Sequence, residues 1–366
     1  MSRLLFGTIM SLTLIGISYF SSKMYALGFR LETVATRLVF FGFLIVSLLF
    51  IGSVMLARTG SIGATLYREI QILAGIGFYL FIGAVVLGLC LLIGAIIGRE
   101  IPVVIPISIL ALSLVVAGIG LVQSRFFHIV KYTITLPDAP TSWNGKTAVL
   151  ISDTHFGLIN HKKFSDKIVD AILALHPDFV LEAGDFYDGP RINTTPITES
   201  WTKVTKAIPV FMAPGNHEEY GDYIGFLTSI QNAGITVLDD KKALFDGVQI
   251  AGITYRTGKD PSDAKAALEK LDLRKDVATI LINHPPTSLA AAADARVDLQ
   301  VSGHTHNGQF WPMTYLIRRI YGPYYHGLAK YADMNVITTS GIGTFGPPMR
   351  LFNPPEIVLI TFSTGK

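Results

Sequence analysis

The sequence is poor in cysteine and in charge. Cys90 is the one cysteine among 366 residues, which excludes a disulfide framework and a metal site built from several thiolates. Charged residues make up only 16% of the chain, the net charge is +3, and no long basic block occurs. The composition therefore gives no indication of a nucleic-acid partner. Half of the residues are hydrophobic, which suits neither a disordered chain nor an ordinary soluble domain.

Most of the excess apolar residues lie before residue 125. Four segments there approach or exceed the ~18–20 apolar residues that cross a bilayer, at roughly 4–20, 38–57, 70–98 and 101–124. A cleavable signal peptide would explain only the first segment. We therefore predict a transmembrane region with four helices over residues 1–125, in a multi-pass protein of the cell membrane with both termini on one side. The flanking Lys and Arg residues divide almost evenly, so they do not indicate which side.

From about Tyr132 the pattern changes to short β-branched runs that alternate with helical stretches. Strands are predicted at 132–136, 147–152, 179–183, 210–213, 248–253, 278–282, 299–302, 336–339 and 356–362. Helices are predicted at about 162–175, 197–207, 219–233, 261–271 and 287–294. This alternation indicates a layered α/β domain over residues 132–366.

Five of these predicted strands run into side chains that bind metals. They bring Asp153, His155, Asp185, Asn216, His284, His304 and His306 to strand ends. Ligands of open α/β sheets collect at the carboxyl ends of the strands, so we predict that these side chains meet. Residues i and i+2 of an extended chain point to one face, which predicts a common centre for Asp153 with His155 and for His304 with His306. Glycines that permit close backbone approach precede three of the ends: Gly184, Gly215 and Gly303.

The donor types favour hydrolysis of phosphate esters. Nitrogen and oxygen donors without thiolate suit Mn, Fe, Zn, Co or Ni better than Mg or Ca, and do not choose among the five. Asp185 is the natural carboxylate to bridge two ions. Two metals about 3.5–4 Å apart can hold both a nucleophile and a phosphoryl oxygen for in-line attack. His217, next to Asn216, could protonate the leaving oxygen.

The sequence resembles the calcineurin-like metallophosphoesterase superfamily at five motifs. They are Asp153-Thr-His155, Gly184-Asp185-Phe-Tyr-Asp188, Gly215-Asn-His-Glu218, His284 and Gly303-His-Thr-His306. The tail, Gly341-Ile-Gly-Thr-Phe-Gly346 with Pro355-Glu356, is similar to the branch of membrane-associated bacterial phosphoesterases with N-terminal transmembrane helices. The resemblance covers about residues 132–366.

This resemblance implies a four-layer αββα sandwich that carries a dinuclear metal centre. One metal would be held by Asp153, His155, Asp185 and His306. The other would be held by Asp185, Asn216, His284 and His304. The same resemblance places His217 near the scissile phosphate, so that the expected catalytic residues are His217, Asp185 and Asn216.

Some residues depart from the motifs or lie outside them. Asn307 stands where this branch often has glycine, which we expect to affect the pocket rim and not the ligands. Asp188 is expected to have a turn or supporting role. We expect His161 and His176 to lie at the surface, and leave His326 unassigned.

A segment after the last histidine pair mixes aromatic and apolar residues with two arginines. It runs from Phe310 to Tyr325 and includes Arg318 and Arg319. Such a composition is typical of an interfacial segment, and it is equally typical of a packed flap over the site.

These patterns together predict a membrane-anchored, dinuclear metal-dependent phosphoesterase. Its substrate would be a phosphodiester, phosphomonoester or pyrophosphate, such as a lipid-linked or envelope compound. The fold hosts many substrates, so this part is analogy. Two alternatives remain: a non-catalytic membrane scaffold that keeps the fold, and a transporter regulated by the soluble domain. The oligomeric state is not predicted.

Overall fold

The computed structural model of the chain describes residues 3–56, 61–189 and 192–365. The chain divides by contacts into two units. The helical unit comprises Met1–Val122 with Gly346–Met349, and the α/β unit comprises Gln123–Phe345 with Arg350–Lys366. The predicted domain limits, 1–125 and 132–366, stay predictions.

Four helices form the described part of the helical unit. They are α1 (Arg3–Phe29), α2 (Thr33–Leu56), α3 (Ser61–Ile96) and α4 (Val104–Gln123). Among the described residues, three stretches are long and apolar enough to cross a membrane: Thr33–Ser53, Gly63–Ile96 and Val104–Gln123. Helix α1 is not among them, so the predicted count of four spans is not confirmed. Residue 57 of the second predicted segment lies outside the described residues.

Polar side chains inside the helical unit hydrogen-bond to a neighbouring helix. The Tyr25 hydroxyl of α1 donates to the Leu80 carbonyl of α3, at 3.0 Å. The Gln71 amide of α3 donates to the Ser53 hydroxyl of α2, at 3.2 Å. Such bonds join helices where water is scarce.

In the residues that the structure describes, the α/β unit contains two six-stranded sheets. The first has the order β1-β12-β2-β3-β4-β5 and the second β10-β11-β9-β8-β7-β6. The strands of the first sheet are β1 (His128–Thr135), β2 (Thr147–Ile151), β3 (Phe179–Glu182), β4 (Val210–Met212), β5 (Thr236–Val237) and β12 (Glu356–Ser363). Those of the second are β6 (Lys241–Phe245), β7 (Val248–Ile253), β8 (Thr279–Asn283), β9 (Leu299–Ser302), β10 (Gly327–Tyr331) and β11 (Met334–Thr338).

Eight helices accompany the sheets in the described part of the α/β unit. They are α5 (Lys162–Ala174), α6 (Thr195–Thr205), α7 (Asn216–Tyr220), α8 (Tyr223–Asn232), α9 (Tyr255–Lys259), α10 (Pro261–Lys270), α11 (Leu289–Asp294) and α12 (Met313–Tyr321). Helix α10 shows a local cause for its start. The Asp260 carboxylate accepts hydrogen bonds from the Ser262 and Asp263 amides, and proline occupies the first helical position, where its missing N–H is not needed.

The sheets share one apolar core and each carries helices on its other face. Along β2, Ala148 and Leu150 join a buried cluster that contains residues of both sheets. Val149 and Ile151, which point the opposite way, join a cluster with α5, α6 and α8. A third cluster joins the second sheet to α10 and α11. These are mixed α/β sheets, and the four-layer αββα order stays a prediction.

The differences from the predicted elements have physical causes. The predicted helix at 219–233 is two helices, α7 and α8, because Gly221 and Asp222 have non-helical backbone angles. Strands β5, β6 and β10 were not predicted. Strand β5 has only two residues, and the side chains of β6 and β10 are partly or fully exposed, so the sequence gives no apolar run there. Helices α9 and α12 were not predicted either.

Candidate metal centre

The predicted ligands follow the carboxyl ends of parallel strands. Strands β2, β3 and β4 are parallel neighbours in the first sheet, and β8 and β9 in the second. Asp153 and His155 follow β2, Asp185 follows β3, Asn216 follows β4, His284 follows β8, and His304 and His306 follow β9. The structure brings six of these side chains together at one edge of the paired sheets, and Asn216 follows the neighbouring strand β4.

Three residues form the first candidate group. Asp153, His155 and His306 each offer a ligand atom, and these atoms lie within 4.8 Å of one another. His306 Nε2 lies 3.3 Å from Asp153 Oδ1 and 3.1 Å from His155 Nε2. Two imidazole nitrogens and a carboxylate that face each other buried at this distance fit a cation.

Asp185, His284 and His304 form the second group, again within 4.8 Å. His284 Nε2 lies 3.1 Å from Asp185 Oδ2. Asp185 also lies 3.9 Å from His155 Nε2 of the first group, the position that a bridging carboxylate needs. The buried Oδ1 of Asn216 has no hydrogen-bond partner among the described residues. A buried oxygen without a hydrogen-bond partner destabilises the folded state. The Asn216 oxygen is therefore suited to bind a metal ion.

The local argument for convergence was wrong, although the residues do meet. Asp153 and His155 do not lie in extended chain: their φ angles are 54° and 46°. His304 and His306 have φ angles of 69° and 49°. The two-residue periodicity of a strand therefore does not apply. Each pair instead occupies a left-handed turn just beyond its strand.

Two glycines allow the turns to approach each other. A Cβ atom on Gly303 would collide with the Ser152 hydroxyl and the Asp153 carboxylate. A Cβ atom on Gly215 would collide with Asp185. The ligand loops can meet only because these positions carry no side chain.

Glu218 fixes the loops that follow β3 and β4. Its buried carboxylate accepts hydrogen bonds from the backbone amides of Asp185 (3.0 Å), Tyr187 (2.9 Å) and Gly215 (2.9 Å). Burial, with the nearby Asp185 carboxylate, raises the pKa of Glu218 to about 7. Glu218 is the last residue of the Gly215-Asn-His-Glu218 motif, but the sequence alone assigns it no role.

His217 lies beside the candidate ligands and is paired with an acid. Its Nδ1 lies 2.8 Å from Asp188 Oδ1, and its backbone amide donates to Asp185 Oδ1 at 2.8 Å. A ring nitrogen of His217 also lies within 4.8 Å of ligand atoms of His155 and Asp185. Burial opposes protonation, but Asp188 and Asp185 raise the pKa of His217 to about 9. The His217 imidazole is therefore protonated on both nitrogens, and positively charged, at neutral pH.

Burial lowers the pKa of three candidate ligand imidazoles, those of His155, His304 and His306, which are neutral instead; burial also opposes protonation of His284, but the Asp185 carboxylate raises its pKa to about 10. Burial, together with the neighbouring His217, lowers the pKa of His155 to about 4. Burial and His284 lower the pKa of His304 to about 3. Neutral imidazole is the form that binds metal.

Arg350, which the sequence did not single out, holds the loop around His306. Its guanidinium is fully buried and donates to the carbonyls of Gly343, Ser340 and His306. Its Nη2 also lies 3.1 Å from His306 Nδ1. Arg350 comes far after His306 in the chain, so no local spacing could have indicated this contact.

Aromatic rings border the candidate ligands. Phe345 is 53% exposed and its ring centroid lies 5.0 Å from that of His217. The rings of Tyr255 and Tyr321 lie 5.4 and 6.2 Å from that of His304. These rings therefore form part of the surface around the candidate ligands.

The remaining histidines lie outside the cluster. His161 and His176 are exposed. His326 Nε2 lies 3.2 Å from Glu356 Oε2, which gives a structural partner to a residue that had been left unassigned.

Comparison with known proteins finds a family and several relatives that match the part of the chain carrying the candidate ligands. Residues 146–308 match the calcineurin-like phosphoesterase family. A protein of Aquifex aeolicus named uncharacterized metallophosphoesterase is 29% identical over 65% of this chain and 93% of its own length. A protein of Campylobacter jejuni with the same description is 28% identical over 70% of this chain and 71% of its own.

A relative with a membrane description also matches. The transmembrane protein with metallophosphoesterase domain of Danio rerio is 28% identical over 69% of this chain and 61% of its own length. Among solved structures, the NAD nucleotidase of Haemophilus influenzae aligns with a TM-score of 0.34 and 14% identity over 54% of this chain and 45% of its own, values too low to support a conclusion. The family match and the curated relatives identify this chain as one that contains a calcineurin-like metallophosphoesterase domain.

Proposed function

We propose that this chain is a membrane-anchored phosphoesterase that depends on two divalent metal ions. Its substrates would contain a phosphodiester, phosphomonoester or pyrophosphate bond, and we place them among lipid-linked or envelope compounds. The observation that carries the proposal is the convergence of two carboxylates and four imidazoles on one edge of the sheets, in two groups with ligand atoms within 4.8 Å, beside which the buried Asn216 amide oxygen has no hydrogen-bond partner among the described residues.

The residues present suit such a pair of ions. Asp153, His155, Asp185 and His306 would hold one, and Asp185, Asn216, His284 and His304 the other. Bound there, the ions would supply the positive charge that polarises a phosphoryl oxygen and activates a water molecule. The metal could be Mn, Fe, Zn, Co or Ni, since the donors do not discriminate among these.

The chain's own residues would orient the ester and move a proton. Asp188 holds Nδ1 of His217, which leaves Nε2 to protonate the leaving oxygen. The buried Asn216 amide, whose oxygen has no hydrogen-bond partner among the described residues, would orient a phosphoryl oxygen as well as bind metal. Phe345 and Tyr255 would exclude water from one side of the ester, since their rings pack against His217 and His304.

Membrane anchoring is supported by the three apolar stretches of the helical unit. Helices of this length and composition hold a protein in a bilayer permanently. We therefore expect a substrate at the bilayer surface, because an anchored enzyme can reach such a substrate by diffusion within the membrane.

Substitution of single ligands tests the proposal. Asp185→Asn and His304→Ala should each reduce hydrolysis of a chromogenic phosphodiester with Mn to background. The matched control is His176→Ala at an exposed histidine, which should keep full turnover. Normal turnover in both ligand variants would contradict the site assignment.

Metal analysis separates the enzyme from a scaffold that only keeps the fold. About two ions per purified chain are expected for the wild type, and fewer in His304→Ala. A chain that binds no metal under any of the five divalent ions would support the scaffold.

A further inference from the structure

Helix α12 carries an apolar stripe that covers no core. Met313, Leu316, Ile317 and Ile320 follow the spacing i, i+3, i+4 and i+7, which places them on one face of a helix. Such a face normally packs against the protein interior. Here no residue of α12 is buried, and the side chains of Leu316 and Ile320 are 51% and 60% exposed.

The charges of α12 are all positive. Arg318 and Arg319 are exposed, and α12 contains no acidic residue. In the part of the chain that the structure describes, neither arginine forms an ion pair. The Arg318 guanidinium lies 6.0 Å from the ring centroid of Tyr325. An apolar face with arginines beside it is the composition of helices that lie in the surface of an anionic bilayer.

Helix α12 is fixed to the segment that carries the last two candidate ligands. At its start, the Thr314 hydroxyl donates to the Asn307 carbonyl, at 3.0 Å. At its end, the ring of Tyr321 lies 6.2 Å from that of His304. A surface that contacts the apolar stripe would therefore lie beside the candidate metal centre.

We propose that the apolar stripe of α12 enters the surface of an anionic bilayer and that the substrates are phosphate esters lying in that surface. The complementary charges of Arg318 and Arg319 and the three membrane-type stretches in the same chain identify the bilayer as the occupant. The substrate half of this inference rests on the proposed phosphoesterase function, whereas the contact with lipid does not.

Site-specific fluorescence tests the lipid contact without catalysis. Cys90→Ala removes the one native thiol from the full chain, which is placed in nanodiscs that contain anionic phospholipid. Leu316→Cys or Ile320→Cys is then labelled with an environment-sensitive fluorophore. Spin-labelled lipids should quench both positions. Leu244→Cys, on β6 and 70% exposed, is the matched control and should not be quenched. Absence of quenching at 316 and 320, or equal quenching at 244, would overturn the proposal.

A second copy of the chain is the competing occupant of the stripe. The measurement is therefore repeated in nanodiscs that hold one chain each. Quenching at 316 and 320 should persist there. A protected environment that disappears when each disc holds a single chain would assign the stripe to a dimer contact and refute the lipid contact.

Activity tests the substrate half. In Leu316→Ser with Ile320→Ser, turnover of a phospholipid phosphate ester in nanodiscs should fall by about tenfold, while a soluble chromogenic diester is hydrolysed at the wild-type rate. Equal losses on both substrates would make α12 a packed flap and contradict the inference. If the wild type hydrolyses neither substrate but its labels are quenched, the proposed function fails and the lipid contact stands.

Discussion

Five of the seven candidate ligands have a left-handed backbone conformation. Asp153, His155, Asp185, His304 and His306 all have positive φ angles, between 46° and 69°. Positive φ is uncommon for residues other than glycine and costs about 1–2 kcal/mol each. Hydrogen bonds from the surrounding loops hold these conformations. The His304 amide, for example, donates to Asp153 at 3.0 Å. A strained set that shares one place supports a functional role, since nothing in folding alone requires it.

Asn307 shows how one residue type suits such a position. Its φ and ψ are 50° and 30°, angles that asparagine and glycine adopt more easily than branched residues. We predict that Asn307→Gly keeps activity, whereas Asn307→Val lowers the free energy of unfolding by about 1–2 kcal/mol. The side-chain oxygen has no hydrogen-bond partner among the described residues, so the comparison isolates the backbone.

Thermal unfolding in detergent measures this difference. Asn144→Val is the control, since Asn144 is exposed and has a φ of −68°. Equal destabilisation by valine at 144 and 307 would show that the left-handed conformation does not determine the choice of residue.

At the scale of elements, the sequence predicted the strands whose residues are buried and missed those whose residues are exposed. Strand β7 is buried at all six positions, so its residues form an apolar run with clear ends. The edge strand β6 alternates exposed and half-buried residues, and two lysines obscure the pattern. Helix α12 has the apolar stripe of a packed helix, but none of its residues is buried. Its mixture of aromatic residues, apolar residues and arginines indicated an interfacial segment or a flap, and the helix itself was not predicted.

For the site, the sequence predicted where the metal-binding side chains gather but not the contacts that hold them. Strand ends identified where donors would gather, because parallel strands end at one edge of a sheet. The left-handed turns, the three amides held by Glu218 and the contact of Arg350 with His306 depend on residues distant in sequence. One sequence contains no signal for them.

Glu356 joins elements of both sheets at the start of β12. Its buried carboxylate accepts hydrogen bonds from the Thr339 hydroxyl (2.9 Å) and the Ser340 amide (2.8 Å), just beyond β11. His326, before β10, lies 3.2 Å away. Burial alone would raise the pKa of Glu356, but His326 and these donors lower it below its usual value of 4.5. Stability from this carboxylate is therefore present above pH 4.5 and lost as the pH falls through the lower, folded-state pKa.

Glu356→Gln should lower the free energy of unfolding by about 2 kcal/mol at pH 7, because hydrogen bonds to a charged group are lost or weakened. The difference from the wild type should shrink as the pH falls below 4.5 and through the lowered pKa of Glu356 in the folded state. Denaturant unfolding at pH 7 and pH 3.5 measures it, with the exposed Glu199→Gln as control. A difference that is independent of pH would show that the carboxylate charge does not contribute.

At the scale of the whole molecule, the number of helices that cross the membrane determines the side on which the amino terminus lies. The Arg30 guanidinium pairs with the Glu100 carboxylate at 2.5 Å, so the turn between α1 and α2 and the turn between α3 and α4 lie at one end of the helical unit. Helices α2, α3 and α4 contain the three candidate spans. The side of the amino terminus then depends on α1 alone.

We expect α1 to cross as well. Its 27 residues extend about 40 Å, more than the ~30 Å hydrocarbon core, and serine side chains at 18 and 47 join α1 to α2 at 3.2 Å. Four crossings place the amino terminus and the α/β unit on the same side, whereas three place them on opposite sides. An epitope fused to the amino terminus and a cysteine introduced by Lys259→Cys in Cys90→Ala report the two sides in intact cells. Both should be accessible to impermeant reagents together or protected together. Access to one and not the other would establish three crossings and place α1 along the membrane surface.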